Sequence, residues 1–346
     1  MPKIPTVMQE IRSLLTSLDW EAMGDEISRE AEARVAIIGP VNSGKSTLFN
    51  LLQGQEVSRV SALPGTTREL VTEELGPITL IDTPGFGEVS GVERAQIALS
   101  AVERAEVVVL LLDAAAGIRQ ADFSLFQQIH RTGKPVIVAL NKIDLVKRDL
   151  ALVRDDLAHK LGVPVVPICA RNGRNVATML MPRVVDAHPP LAVALGRELP
   201  AYRRQAAHRA IRNAVGTSAL VGAEPIPGVD IPFLIANQVR LVLRIAAIYG
   251  EPMTADHARE LIATIATGVF LRYLAQAAAK ALPGPGWAIS GSIAAAGTWA
   301  IGQVAVEYFE SGKQLSPAQL QSLYRRLTRR GEAVLPGPGL EGKGDV

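Results

Sequence analysis

The chain has 346 residues, of which 48% are hydrophobic and 20% charged, with a formal net charge of +2. That length suits two domains, and the composition excludes general disorder and gives no strong charge imbalance pointing to nucleic acid. The single cysteine, Cys169, excludes an internal disulfide framework and a cysteine-based zinc site, and a reducing compartment is the simpler setting.

The N-terminal stretch MPKIPTVMQEIRSLL lacks the long apolar core of a signal peptide. Residues 4–31 read as helix, so 1–32 is a helical extension able to pack on whatever follows. From residue 33 the texture changes. The runs RVAIIG (34–39), ITLID (78–82), VVVLLLD (107–113), PVIVAL (135–140) and VPVVPI (163–168) are short and apolar, as strands buried on both faces of a parallel sheet must be. Helical stretches separate most of them. RELVTEEL (68–75) alternates and predicts an antiparallel edge strand. Residues 33–185 therefore predict an α/β fold with a doubly wound, mostly parallel sheet.

Directly after the first strand comes GPVNSGKST (39–47), which matches G-x-x-x-x-G-K-[ST] and runs on into the helical TLFNLLQG. That strand–loop–helix setting is what a phosphate-binding P-loop requires. Gly39 and Gly44 let successive N–H groups turn toward phosphate oxygens, and the helix start adds the positive end of its dipole. Asn42, Ser43, Gly44, Lys45, Ser46 and Thr47 are the candidate contacts. Lys45 is expected to neutralise β- and γ-phosphates, and the Ser46 hydroxyl to ligate magnesium. A second magnesium residue should end a neighbouring strand, and ITLIDTPG (78–85) offers Asp82, with the Gly85 N–H three residues on. In the polar loop 58–69, Thr67 could reach magnesium only while the third phosphate is present, which would make the loop a switch; Thr66 competes for that role. Lys45, Thr67, Asp82 and Gly85 are the residues expected to carry hydrolysis.

NKID (141–144) follows the strand PVIVAL. The Asp144 carboxylate offers two acceptors, which match the paired N1 and N2 donors of guanine and not adenine. Asn141 is expected to tie this loop to the phosphate loop, with the Lys142 stem against the base. The segment CAR, Cys169, Ala170 and Arg171, would place the Ala170 N–H near the base oxygen, with Cys169 a small packing residue. Alone, Asp144 reads equally as a turn cap.

DAHPPLAVALGRELP (186–200) carries three prolines and reads as a linker. Net charge moves from −3 over residues 1–190 to +5 over 191–346. Residues 201–331 are rich in Ala, Gly, Leu and Ile without a strand pattern and predict a separate all-α domain; 332–346 read as a disordered tail. Arg203, Arg204, Arg209 and Arg212 cluster on one helical stretch that could meet anionic lipid, RNA or solvent. Asn237, Arg240 and Arg244 share one side of a second helix. Gly268, Arg272, Gln276 and Lys280 form a polar stripe at spacing four. WAISGSIAAAGTWAIGQVAV (287–306) has no charge over a length near that of a bilayer span, yet its small residues fit a buried central helix better. Gly291, Gly297 and Gly302 would permit close helix packing.

GPVNSGKS, PGTTR, DTPG, NKID and CAR, in this order, resemble the Era/TrmE group of translation-factor-type GTPases over residues 33–185. The resemblance implies GTP and GDP as ligands, hydrolysis with Mg2+, and Asn42 where some relatives help bind a potassium ion, K+. Phe86 stands where Ras-like proteins carry a water-orienting glutamine, which implies slow intrinsic turnover accelerated by potassium, a partner or dimerisation through the GTP-binding domain. Glu88 and Glu93 are alternatives for orienting water, or plain surface charges. EPIPGVDIP and its flanking apolar helices resemble the C-terminal domain of bacterial YcjF-type proteins, of unknown function, and imply membrane association more than nucleic acid. The expectation is a cytoplasmic regulatory GTPase, peripheral or integral at the cytoplasmic membrane, with a membrane lipid or membrane protein as partner. An RNA or ribosome-assembly GTPase and a membrane-remodelling, dynamin-like GTPase are the alternatives.

Overall fold

The computed structural model describes residues 13, 15–54, 72–83, 102–146, 149–223, 231–251 and 285–334. The chain forms two compact units, residues 29–203 and the pair of segments 1–28 and 204–346.

The first unit is built on a six-stranded sheet. Strands β1 (Val35–Pro40), β2 (Thr72–Leu75), β3 (Ile78–Thr83), β4 (Val107–Asp113), β5 (Val136–Asn141) and β6 (Val165–Pro167) take the order β2-β3-β1-β4-β5-β6. All neighbours are parallel except β2, which runs antiparallel to β3 at the edge. This is the doubly wound P-loop fold that the strand pattern predicts. Val108, Leu110 and Val138 are fully buried, because helices cover both faces. Helices α3 (Gln120–His130) and α4 (Leu150–Leu161) place Phe126, Ile129 and Leu157 in one core with Ile38, Leu110 and Leu140. Asp122 fixes the start of α3 by accepting from the Arg119 N–H at 2.8 Å. Gly162, with φ of 70°, closes α4 through its N–H to Ala158 O.

The opposite face is covered by α2 (Lys45–Gln53), α5 (Met181–Ala187) and α6 (Leu191–Glu198), preceding β1 in the chain being α1 (Trp20–Ala31). Leu48 and Leu52 meet Leu180, Met181, Val184 and Leu195 over Val35 and Ile37. Here the structure corrects the linker expected at 186–200. Residues Leu191–Gly196 are all buried in the first unit, and the β2–β3 turn at Gly76 abuts Glu198. The prolines had a different role: Pro190 caps the start of α6, where a missing N–H costs nothing, and Pro200 follows its end.

The second unit is helical. It holds α7 (Arg203–Gly222, from its second residue), α8 (Ile231–Ile248), α9 (Pro285–Glu310) and α10 (Pro317–Val334), with α1 up to Ser28. Three-quarters of the apolar stretch Ile289–Glu310 is inside the protein (72%), so α9 is a central bundle helix. Small residues allow the close approach: Gly222 of α7 faces Gly291 and Ala294, and Gly302 faces Ile211 and Leu241. A buried polar layer joins three helices, with Ser218 and Thr298 hydroxyls 2.7 Å apart, Gln238 donating to Thr298 and Asn237 donating to Ser218 and to Ala214 O. Arg240 and Arg244 both pair with Glu26 of α1, at 3.1 and 3.0 Å. The polar side of α8 thus holds the N-terminal helix and the bundle interior. The stripe at 268–280, Thr66, Thr67, Arg68, Gly85, Phe86, Glu88 and Glu93 lie outside the described residues. So does the expected tail beyond Val334; its first residues, 332–334, belong to α10.

Candidate functional site

The site lies at the C-terminal ends of the parallel strands, where an open α/β sheet binds its ligand. Gly39, next to the last residue of β1, is level with Asp82 of β3, and Asp113 of β4 is level with Asn141 of β5. Cys169 and Ala170 follow β6. The order of the sheet therefore brings together segments that are more than a hundred residues apart in the chain.

The phosphate loop is held tightly. A Cβ on Gly39 would collide with the Leu111 carbonyl of β4, and one on Gly44 with the Asn141 side chain. Gly44 also has φ of 96°, a left-handed conformation that glycine adopts freely. It caps α2 without a side-chain hydrogen bond, which leaves the first N–H groups of that helix directed at the loop. Lys45 is 4% exposed, and its ammonium donates to Gly39 O (2.8 Å), Pro40 O (2.7 Å) and Ser43 Oγ (3.4 Å). The charge expected to face phosphates is thus carried by loop carbonyls at the same place. Asn42 is exposed with φ of 66°, Ser43 is fully buried, Ser46 is exposed and Thr47 half-buried. The exposed Ser46 hydroxyl at the start of α2 and the register of Asp82 with Gly39 fit a magnesium ion beside the loop. The Asp82 side chain, like Thr67 and Gly85, lies outside the described set.

Asn141 joins the two halves of the site. It is 2% exposed, its Nδ2 donates to Ser43 O at 2.8 Å, and its Oδ1 accepts from the Ala170 N–H at 2.9 Å. The first bond is the expected tie to the phosphate loop. The second gives the Ala170 N–H a partner on Asn141 and joins the loop after β6 to the phosphate loop. Lys142 has φ of 63°, and its ammonium pairs with Asp113 at 2.7 Å, which anchors the head of the side chain. Burial acts to raise the Asp113 pKa. The Lys142 hydrogen bond, the Ala115 N–H, the Lys142 charge and the Ala116 N–H outweigh it and hold the carboxyl below its ordinary 3.8.

Asp144 is exposed at the mouth, and its Oδ1 accepts from the Cys169 thiol at 3.1 Å. Cys169 is fully buried, as a packing residue should be, and it also positions the carboxylate. Burial, then the Asp144 hydrogen bond, raises the thiol pKa above 9.0, against weaker lowering by the Asn172 and Arg171 N–H groups. Arg171 itself is exposed. Two positioning residues escaped the sequence reading. Asp113 carried a usable signal, an acid ending a buried parallel strand. Asn175, which donates to Pro167 O at 2.9 Å and shapes the loop after β6, carried none.

Residues 34–142 match the family described as 50S ribosome-binding GTPase, and residues 191–332 match a domain of unknown function, DUF697. The GTPase Der of Moorella thermoacetica is 39% identical over 171 residues, covering 44% of this chain and 39% of that protein. The tRNA modification GTPase MnmE of a Synechococcus species is 33% identical over 214 residues, 58% of this chain and 44% of that one. A crystal structure of Aquifex aeolicus Era bound to GDP and AlF4− has 35% identity, covers 44% of this chain and 55% of that one, and gives a TM-score of 0.36. The chain spans less than half the length of these curated relatives.

Proposed function

Starting from a GTPase-family domain joined to a DUF697 domain, we propose that this protein is a GTP-binding and GTP-hydrolysing switch. Its nucleotide state controls the helical unit and its attachment to the cytoplasmic membrane. The observation that carries the reading is Asn141, which hydrogen-bonds the phosphate loop at Ser43 and the base loop at Ala170. A ligand reaching both must have a phosphate chain and a base at fixed separation.

In this reading Asp144, oriented by Cys169, selects guanine through its N1 and N2 donors. Lys45 and the first N–H groups of α2 bind the β- and γ-phosphates, and Ser46 and Asp82 would hold Mg2+. Magnesium, when bound, supplies positive charge beside the triphosphate. Thr67 and Gly85 sense the third phosphate. Asn42 is the candidate for a K+ ion, and replacing potassium by sodium should then slow hydrolysis; equal rates remove that assignment. Dimerisation through the GTPase domain is a further source of acceleration. Titration calorimetry tests the nucleotide reading: GTP and GDP bind and ATP does not. Binding of ATP in preference to GTP overturns it.

The membrane part is supported by two helical stretches, Ile231–Ile248 and Ile289–Glu310, with mean hydropathy of 1.6 and 1.3. Their burial, 56% and 72%, favours reversible attachment of a packed bundle over permanent insertion. Cell fractionation with a nucleotide-locked variant is the test, and a chain wholly in the cytosol in both states refutes it. The description of the matching family as ribosome-binding favours a second reading, an RNA or ribosome-assembly GTPase.

A further inference from the structure

Three arginines of the helical unit pair within it. Arg240 and Arg244 hold Glu26, and Arg204 lies 3.6 Å from Glu310. Helix α10 differs. Arg325, Arg326, Arg329 and Arg330 are all exposed, and none of their side chains has an ion pair or hydrogen bond among the described residues. The spacing i, i+1, i+4, i+5 puts them on one face. The opposite face, with Leu320 and Tyr324 at 4% and 2% exposure, packs inward. α10 contains one acid, Glu332, so like charges crowd the stripe without local neutralisation.

The same unit also exposes apolar side chains. Leu220, Phe233 and Ile289 are 76%, 65% and 43% exposed. All three lie on the same side of the Ser218–Thr298–Gln238 layer: Leu220 at the end of α7, Phe233 at the start of α8, Ile289 near the start of α9. The short connection 311–316 folds α10 back along α9, so the arginines run toward that same end.

We propose that the arginine face of α10, together with this apolar bundle end, docks on an anionic phospholipid surface. The inference rests on the membrane reading above and names its contact. Phosphate headgroups match unpaired guanidinium groups. The exposed Leu, Phe and Ile would enter the acyl boundary, the division of labour of an interfacial basic helix. Two of these three side chains are aliphatic, which favours lipid over RNA, whose exposed bases need aromatic stacking platforms.

The test is cosedimentation of the full chain with phosphatidylcholine vesicles, with and without phosphatidylglycerol. Binding is expected only with phosphatidylglycerol and should fall with salt. R325Q/R326Q/R329Q/R330Q should weaken it roughly 100-fold or more, since each basic side chain at such a surface contributes about fivefold. R154Q/K160Q, on exposed α4, should leave it unchanged. F233S, which spares every arginine, should weaken binding severalfold while preserving the salt dependence. Equal binding to both vesicle types overturns the proposal, as does wild-type binding by the quadruple variant. So does tight binding of a structured RNA, lost in that variant, with no vesicle binding. In cell fractionation, a quadruple variant that stays membrane-bound sinks the stripe alone, whereas a wild-type chain found only in the cytosol sinks the membrane reading itself.

Discussion

Asp113 and Lys142 show how the loop that carries Asp144 is braced. The folded-state pKa of Asp113 lies below its ordinary value of 3.8, so the native state binds fewer protons than the unfolded one. The stabilisation is therefore complete above 3.8 and is lost as pH falls through the depressed value. Urea melts of wild type and Asp113→Asn should differ at neutral pH and converge as the solution is acidified below about pH 4. Cys169 behaves oppositely. Its raised pKa keeps it a protonated donor to Asp144, so iodoacetamide should modify it slowly at neutral pH. Cys169→Ser keeps a donor and should retain guanine affinity. Cys169→Ala should weaken it by about tenfold or less, the worth of roughly 1 kcal/mol for one hydrogen bond. Asp144→Asn should shift preference toward xanthosine triphosphate, measured by competition, and Lys45→Ala should abolish nucleotide binding or turnover.

At the scale of elements, the strands were legible because each is buried on both faces and so reads as an unbroken apolar run. Val107–Asp113 and Val136–Asn141 match their sequence runs to within a residue. The antiparallel edge at Thr72–Leu75 was legible from its alternation. α6 was not, because its prolines signal a break and only tertiary packing reveals that Pro190 starts a helix instead. The same limit applies to the site. Motif order announced Lys45, Asn141 and Asp144, but the partners of Lys142 and Ala170 are set by the spacing of β4, β5 and β6. In the bundle, Asn237, Arg240 and Arg244 were visible as one polar side, while their acceptors on other helices were not. Replacing Gly302 by Leu tests the packing of α9. A side chain there meets Ile211 and Leu241, and the variant should lose about 1–3 kcal/mol in chemical denaturation.

For the whole molecule, the α/β unit at 29–203 is an insertion into the helical unit, which is assembled from 1–28 and 204–346. Two crossings of the chain fall at helices, within α1 and at the first residue of α7. Glu26 is half-exposed, so its two ion pairs are screened, and Glu26→Ala should cost about 0.5–1 kcal/mol, read by faster hydrogen exchange in α8.

This discontinuity also sets a timetable for biosynthesis. Glu26 and Arg240 stand 214 positions apart, so α1 leaves the ribosome long before α8 exists. At about 5–20 residues per second, the wait is roughly 10–40 s. Trp20, Met23 and Ile27 are buried in the finished protein, and during that time Glu26 lacks both of its arginine partners. A newborn chain must therefore shelter its first helix, in a chaperone or on itself, until translation delivers the other half of its bundle.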